Sequence, residues 1–289
     1  MGKKDRTWQQ SPTESLLVRE GFSIKDFDFA ATPGFSGDKN DGKRLRKDRG
    51  DKLGDLQEQL FAEGRAGGSR SVLLVLQGMD TAGKGGIVRH VLGMVDPQGV
   101  QHRSFGVPTE EERAHHYLWR IERALPSSGH IGVFDRSHYE DVLVVRVHAL
   151  VPADVWGQRY DEINAWEQRR IDEGTRIIKC ALMVSPEQQL ERLSERLDRP
   201  DKLWKYNPGD IDERSHWDAY MDAYQAVFDR CSTDAAPWHA IPADHKWFAR
   251  LAVTELLTSA LEGMHLEWPL ADFDVEAEKA RVAALRESS

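Results

Sequence analysis

The run Ser71-Val-Leu-Leu-Val-Leu76 is continuously apolar, and two residues later the chain reads Gly78-Met79-Asp80-Thr81-Ala82-Gly83-Lys84. A short apolar run closed by a glycine-rich turn is the pattern of a strand buried on both faces, as in a parallel sheet. The spacing G-x-x-x-x-G-K directly after such a strand is that of a phosphate-binding loop. Its glycines let the backbone fold tightly, so that N–H groups from Gly78, Met79, Thr81, Ala82, Gly83 and Gly85 can converge on phosphate oxygens. The next helix, through Ile87, Val88 and Val91, adds the positive end of its dipole. Lys84 brings a mobile ammonium to the same place.

Downstream, apolar runs alternate with helical periodicity. Strands are expected near residues 101–105, 131–134, 176–184 and 238–241, and helices over 110–124, 153–173, 186–197, 215–231 and 245–262. Such alternation implies a central parallel sheet covered on both sides, a three-layer α/β/α sandwich of the P-loop kinase type. Helical spacing of Leu53, Leu56 and Leu60 begins near Lys52, which leaves 1–50 as a polar arm, 51–265 as the main domain and 266–289 as a peripheral helix and tail. No run reaches the length of a membrane span and the N-terminus lacks an apolar signal stretch, so the expected compartment is the cytoplasm, without membrane association. Cys180 and Cys231 have no ligand or disulfide spacing and read as free buried thiols.

The formal net charge of -9 argues against a nucleic-acid partner. Cations are nevertheless concentrated in two stretches, Gly42-Lys-Arg-Leu-Arg-Lys-Asp-Arg49 and Arg192 to Lys205, which suggests a localised polyanion site. In the second stretch Ser185-Pro186-Glu187 starts a helix that carries Arg192, Arg196 and Arg199 near one face, followed by Lys202 and Lys205 beside Trp204 and Tyr206. This segment, about 186–214, has the position and chemistry of a lid that closes over phosphates. A solvated helix face paired with Glu191 and Glu195 is the plainer alternative.

Two acids stand at strand ends. Asp80 lies inside the loop, where its charge calls for a cation, although a loop carboxylate bonded to backbone N–H groups would also account for it. Asp135 follows the strand Ile131-Gly-Val-Phe134, in the position of a Walker B carboxylate, with Arg136 next to it as a phosphate clamp or a surface ion pair. The residue after Lys84 is Gly85 rather than the usual serine or threonine, so magnesium would fall to Asp80 and Asp135. Glu140 and Asp141 can be read as charges at the start of a helix near Val142.

The segments GMDTAGKGG, SFGVPTEEERAHHYLWRI, FDRSHYEDVLVVRVH and RLSERLDRPDKLWKYNPGDIDERSHWDAYMDAY, in this order, resemble the polyphosphate kinase type 2 family over roughly residues 50–265. The resemblance implies a fold like that of thymidylate kinase and magnesium as cofactor, with manganese as the alternative. It also implies reversible phosphoryl transfer between inorganic polyphosphate and adenine nucleotides, guanine nucleotides being a further option, by a homo-oligomer, dimer or tetramer. Residue by residue it places the Walker A acid and lysine on Asp80 and Lys84, the Walker B acid and arginine on Asp135 and Arg136, and the lid arginines on Arg192, Arg196 and Arg199. RSHYEDVLVVRVH resembles the class III branch that accepts both AMP and ADP, with its AMP-associated glutamate at Glu140. From the residues alone, an ATP-dependent nucleoside monophosphate kinase and a non-catalytic P-loop interaction module remain rivals.

Overall fold

Five strands form one sheet: β1 Ser71–Gln77, β2 Val100–Ser104, β3 Ile131–Asp135, β4 Thr175–Met183 and β5 Trp238–Pro242; β1, β3 and β4 come from short apolar runs with β-branched residues, whereas β2, Val-Gln-His-Arg-Ser, is a polar edge strand. The computed structural model describes residues 7–287; the first six residues of the expected arm and the last two of the tail lie outside them. The strands lie in the order β2-β3-β1-β4-β5 and every pairing is parallel. β1 is buried along its whole length, as its unbroken hydrophobicity requires. Because β2 and β3 are laid down on one side of β1 before the chain crosses to β4 and β5 on the other, a crevice opens at the carboxyl end of β1, where open α/β sheets hold ligands.

The longer helices are α1 Lys39–Arg65, α2 Lys84–His90, α3 Ala153–Asp172, α4 Pro186–Leu197, α5 Trp217–Cys231, α6 Lys246–Glu262 and α7 Val275–Glu287. α1 begins thirteen residues before the expected Lys52. Asp38 caps it, accepting from the amides of Asn40 and Asp41 in a reciprocal capping box with Asp41. Glycines disguised this start. Gly42 is there because α1 crosses α6 closely: a β-carbon on it would stand 2.5 Å from the Trp247 ring. The basic run 43–49 therefore lies on a helix.

Residues before α1 are also packed, with Leu16, Val18, Ile24 and Phe35 buried. Leu17 forms an antiparallel bridge with His239, flanked by hydrogen bonds from Val18 N to Trp238 O (2.9 Å) and from Ala240 N to Leu16 O (2.9 Å). This strap pairs backbone groups on the outer edge of β5 that would otherwise be a template for another chain. The expected helix 110–124 is two single turns, Glu110–Arg113 and Trp119–Glu122. Its first turn buries nothing, so only the second, through Arg120 and Ile121, is held by packing. α7 buries no residue, and no described helix is long and apolar enough to cross a membrane.

The turn after β3 is tied down by a buried ionic group. Lys179 in β4 donates to Glu167 Oε2 (2.6 Å), to the Tyr139 hydroxyl (2.8 Å) and to Cys231 O (2.7 Å), while Tyr139 donates to Glu167 Oε1 (2.9 Å). His138 Nε2 meets the same oxygen at 3.1 Å. Burial pushes the Glu167 carboxyl up, but Lys179 and His138 outweigh it and hold it below its ordinary range. Removing one partner strands the other's charge in the core, a cost of about 3–5 kcal/mol. Lys179→Ala should lower unfolding free energy in urea by about that amount, and Lys179→Met with Glu167→Leu should recover most of it. A loss below about 1 kcal/mol would show that the group contributes little.

Candidate active site

The phosphate loop leaves β1 through Gly78, whose φ of +153° and whose approach to Leu182 O, 2.6 Å from a built β-carbon, admit no side chain. Thr81 follows with φ +64°, a left-handed conformation that costs a non-glycine residue about 1–2 kcal/mol. The loop delivers Lys84 to a buried position where its ammonium donates to Gly78 O (2.7 Å) and Met79 O (3.4 Å). Burial lowers the proton affinity of Lys84, and nearby Arg136 lowers it further; Asp80, Asp135 and Glu140, all within electrostatic reach, act in the opposite direction.

Arg136 is the second strained residue, at φ +64°. Its amide donates to Leu76 O (3.0 Å), prolonging the β1–β3 ladder, and the left-handed turn sends its side chain across the mouth of the loop. There the guanidinium meets Asp80 Oδ1 at 2.7 Å and Glu140 Oε2 at 3.2 Å. Glu140, the strongest influence, and then Asp80 raise the proton affinity of Arg136 against the opposing effect of burial. Asp135, the last residue of β3, stands opposite Leu76 in register.

These groups divide two cavities. One, of about 290 Å³, is lined by Asp80, Lys84, Asp135 and Arg136, with glycines 83, 85 and 86 as floor and Arg196 and Lys205 from the lid segment above. The other is narrow and lies beyond the same Asp80–Arg136 pair, between Glu140, Leu143, Glu213, Tyr220 and Tyr224. The first continues into a wider hollow of about 480 Å³, where Arg199 and Lys202 join Arg196 and Lys205. Arg199 and Lys202 here pair with Asp201, at 3.0 and 2.7 Å, on the outer surface.

Arg192 does not reach the reacting end as expected. It is buried, and its guanidinium donates to Thr81 O (3.0 Å), Ala82 O (3.2 Å), Ala243 O (2.5 Å) and Asp244 O (3.0 Å). A cation spent on four carbonyls braces the loop against the segment after β5 instead of meeting phosphate. Gln189, one turn earlier, donates to Asp80 O (3.1 Å) and accepts from Arg214, so α4 holds the loop at two points. The helix-capping reading of Glu140 and Asp141 also fails: Glu140 serves Arg136 and accepts from Gln77 (3.2 Å), and Asp141 pairs with Arg159 at 2.8 Å. Met79 is buried and offers the site only its backbone.

A third acid had no signal in the sequence. Asp210, one of several carboxylates in Gly-Asp-Ile-Asp-Glu213, is buried and held by Arg196 at 3.2 Å. Burial and then Asp80 raise its pKa above the ordinary value. Tyr224 was equally inconspicuous, as one apolar position of α5 among several, yet its buried side chain lines the narrow cavity.

Comparison with known proteins places this geometry. The family model for polyphosphate kinase 2 matches residues 36–269. An AMP/ADP-polyphosphate phosphotransferase of Meiothermus ruber is 45% identical over 248 residues, 86% of this chain and 91% of that protein. An ADP-polyphosphate phosphotransferase of Rhodopseudomonas palustris is 42% identical over 76% of this chain and 78% of the relative. The crystal structure of polyphosphate kinase 2 from Arthrobacter aurescens TC1 superposes with a TM-score of 0.94 at 52% identity, covering 96% of this chain and 98% of that one.

Because burying the ammonium costs the folded state, Lys84→Met should leave the melting temperature unchanged or raised. The same variant should bind tripolyphosphate about tenfold or more weakly, since a charge-assisted contact is lost. Calorimetry on the two proteins checks both, and unchanged tripolyphosphate affinity would remove Lys84 from the site.

Proposed function

The chain belongs to the polyphosphate kinase 2 family, and from that membership we propose that it transfers phosphoryl groups reversibly between inorganic polyphosphate and ADP or AMP. The observation that carries this reading is the Asp80–Arg136 pair shared by two cavities, with Lys84 beside it. Donor and acceptor can enter from opposite sides and meet at one charged partition. The donor side is lined by Arg196, Arg199, Lys202 and Lys205 and presents no Phe, Tyr or Trp ring to stack on a purine. It therefore suits a chain of phosphates better than the base of ATP, which disfavours an ATP-dependent kinase.

Phosphoryl transfer through a loose transition state needs alignment and neutralised charge, with little covalent help. The nucleotide's terminal phosphate oxygen attacks the end phosphorus of polyphosphate in line, and the shortened polyphosphate leaves with the bridging oxygen. Loop amides and Lys84 hold the moving group, and Arg136, released from Asp80 as phosphate arrives, spans donor and acceptor. Asp80 and Asp135 fit a divalent ion, and no cluster of three or more His, Cys, Asp or Glu positioned for a metal exists among the described residues. Magnesium suits such a set because it keeps water and phosphate oxygens as its other ligands, and manganese would be accepted similarly. Bound there, it would supply charge neutralisation across the reacting phosphates.

The reading extends to the cytoplasm, where free thiols such as Cys180 and Cys231 stay reduced. Self-association belongs to it too, with exposed Trp268, Leu270 and Phe273 offering apolar surface, and guanine nucleotides are secondary acceptors. Purified protein with magnesium, AMP or ADP, and either polyphosphate or ATP should phosphorylate the nucleotide with polyphosphate, followed by chromatography. Product with ATP alone would favour a nucleoside monophosphate kinase, and none with either donor a non-catalytic module. Glu140→Gln should reduce AMP use about tenfold more than ADP use, whereas equal losses would remove Glu140 from acceptor choice.

A further inference from the structure

Beyond the Asp80–Arg136 partition, the narrow cavity ends on a carboxylate that no phosphate can use. Glu213 closes the helical turn Gly209–Glu213 and lines that cavity together with Leu143, Tyr220 and Tyr224. Its Oε2 accepts from the Tyr220 hydroxyl at 2.8 Å and meets His148 Nε2 at 3.0 Å. An ionised carboxylate only accepts, so that imidazole nitrogen carries the proton. Among the described residues no donor reaches Oε1 of Glu213. The other glutamate of the cavity, Glu140, differs: Gln77 donates to one of its oxygens and Arg136 to the other.

The wall that carries Glu213 is fixed from several sides. Arg214, the next residue, donates to Pro186 O (3.0 Å) and Gln189 Oε1 (2.5 Å), which bolts this end of the lid segment to α4. His148, just after the turn Val144–Val147, has the His216 ring edge-on at 4.8 Å. Tyr220 and Tyr224 are four residues apart on α5 and so share a face. Tyr224 is only 3% exposed, lines the cavity, and its hydroxyl has no hydrogen-bond partner among the described residues. Burial and then Glu140 push that hydroxyl's pKa up, so it keeps its proton and stands as an unused donor. The cavity thus offers a spare acceptor at Glu213 and a spare donor at Tyr224.

Phosphate oxygens are anionic acceptors, and Glu213 repels them. A nucleotide carries hydrogen-bond donors only on its ribose hydroxyls and on the amino and ring N–H groups of its base. The cavity encloses about 20 Å³, room for a water-sized group and far too little for a purine. We propose that Glu213, oriented by Tyr220 and His148, accepts from the ribose hydroxyls of the acceptor nucleotide and selects ribonucleotides over deoxy sugars, while the base stays outside and is read loosely. The proposal rests on a nucleotide being the phosphoryl acceptor. A carboxylate on a sugar hydroxyl is a pairing that dinucleotide-binding folds also use. The spare donor of Tyr224 suits the phosphate end of the same nucleotide, beside Arg136.

Calorimetric titration of the full chain with AMP, 2′,3′-dideoxy-AMP and inosine monophosphate, which lacks the adenine amino group, tests it, alongside transfer from polyphosphate to the same three nucleotides. Wild type should bind AMP about tenfold or more tightly than the dideoxy nucleotide, and within about threefold of inosine monophosphate. Glu213→Ala should bring the ratio of AMP to dideoxy affinity close to unity, and Glu213→Gln should keep part of it. His148→Ala should lower the same ratio about threefold, and His148→Gln, still an N–H donor, should restore it. A merely structural role for His148 would weaken all three nucleotides alike. Equal binding of AMP and the dideoxy nucleotide by wild type, or a Glu213→Ala effect on the preference for AMP over inosine monophosphate instead, would overturn the sugar contact. Transfer without a sugar preference would keep the reaction and remove the contact; a sugar preference in binding without transfer would do the reverse.

Discussion

The geometry of the site turns on one ion pair. Arg136 reaches Asp80 only because two separate strand ends are brought side by side, the loop after β1 and the turn after β3, which the sheet order makes neighbours. Both partners stand next to strained backbone, Thr81 in one case and Arg136 itself in the other. Strain of this kind persists only where surrounding structure over-determines it. Here the restraint comes from Arg192 and Gln189 on the loop side, and from the buried Lys179–Glu167–Tyr139 group below the turn that carries Arg136 and Glu140.

This division of labour separates two kinds of cation. Arg192, through both Nη atoms, and Lys179 are bonded to protein oxygens, so their charges are consumed in holding the frame. Lys84, Lys205 and the cations of the wide hollow face open cavity, where a polyanion can use them. Family membership and geometry agree on this point: the matched relatives are named for polyphosphate chemistry, and cations of this chain line the wide hollow. An overall charge of -9 coexists with that lining because in the wide hollow cations outnumber acids, of which Glu195 is the one that lines it.

Local signals in the sequence were strong where one residue type does one job. The apolar run of β1, the glycine loop, Ser185-Pro186 at the start of α4 and Asp135 at the end of β3 each act within a few neighbours, and each lies where its pattern implies. Roles set by distant partners were hidden. The start of α1 read as loop because Gly42 answers to Trp247, and Arg192 read as a lid cation because its four carbonyl partners lie 51 to 111 residues away. Asp210, Tyr224 and Lys179 carried no local mark at all. The stretch 110–124 misled in the opposite sense, its helical composition lacking the tertiary contacts that would sustain a helix.

The most direct test is the position of a bound donor. A crystal structure of the full chain with tripolyphosphate should show its terminal phosphate cradled by the amides of residues 78–85. Lys84 Nζ should lie within hydrogen-bond reach of it, and Arg136 should be turned from Asp80 towards it. An anion seated away from both Lys84 and Arg136, with the Asp80 pair undisturbed, would contradict the account.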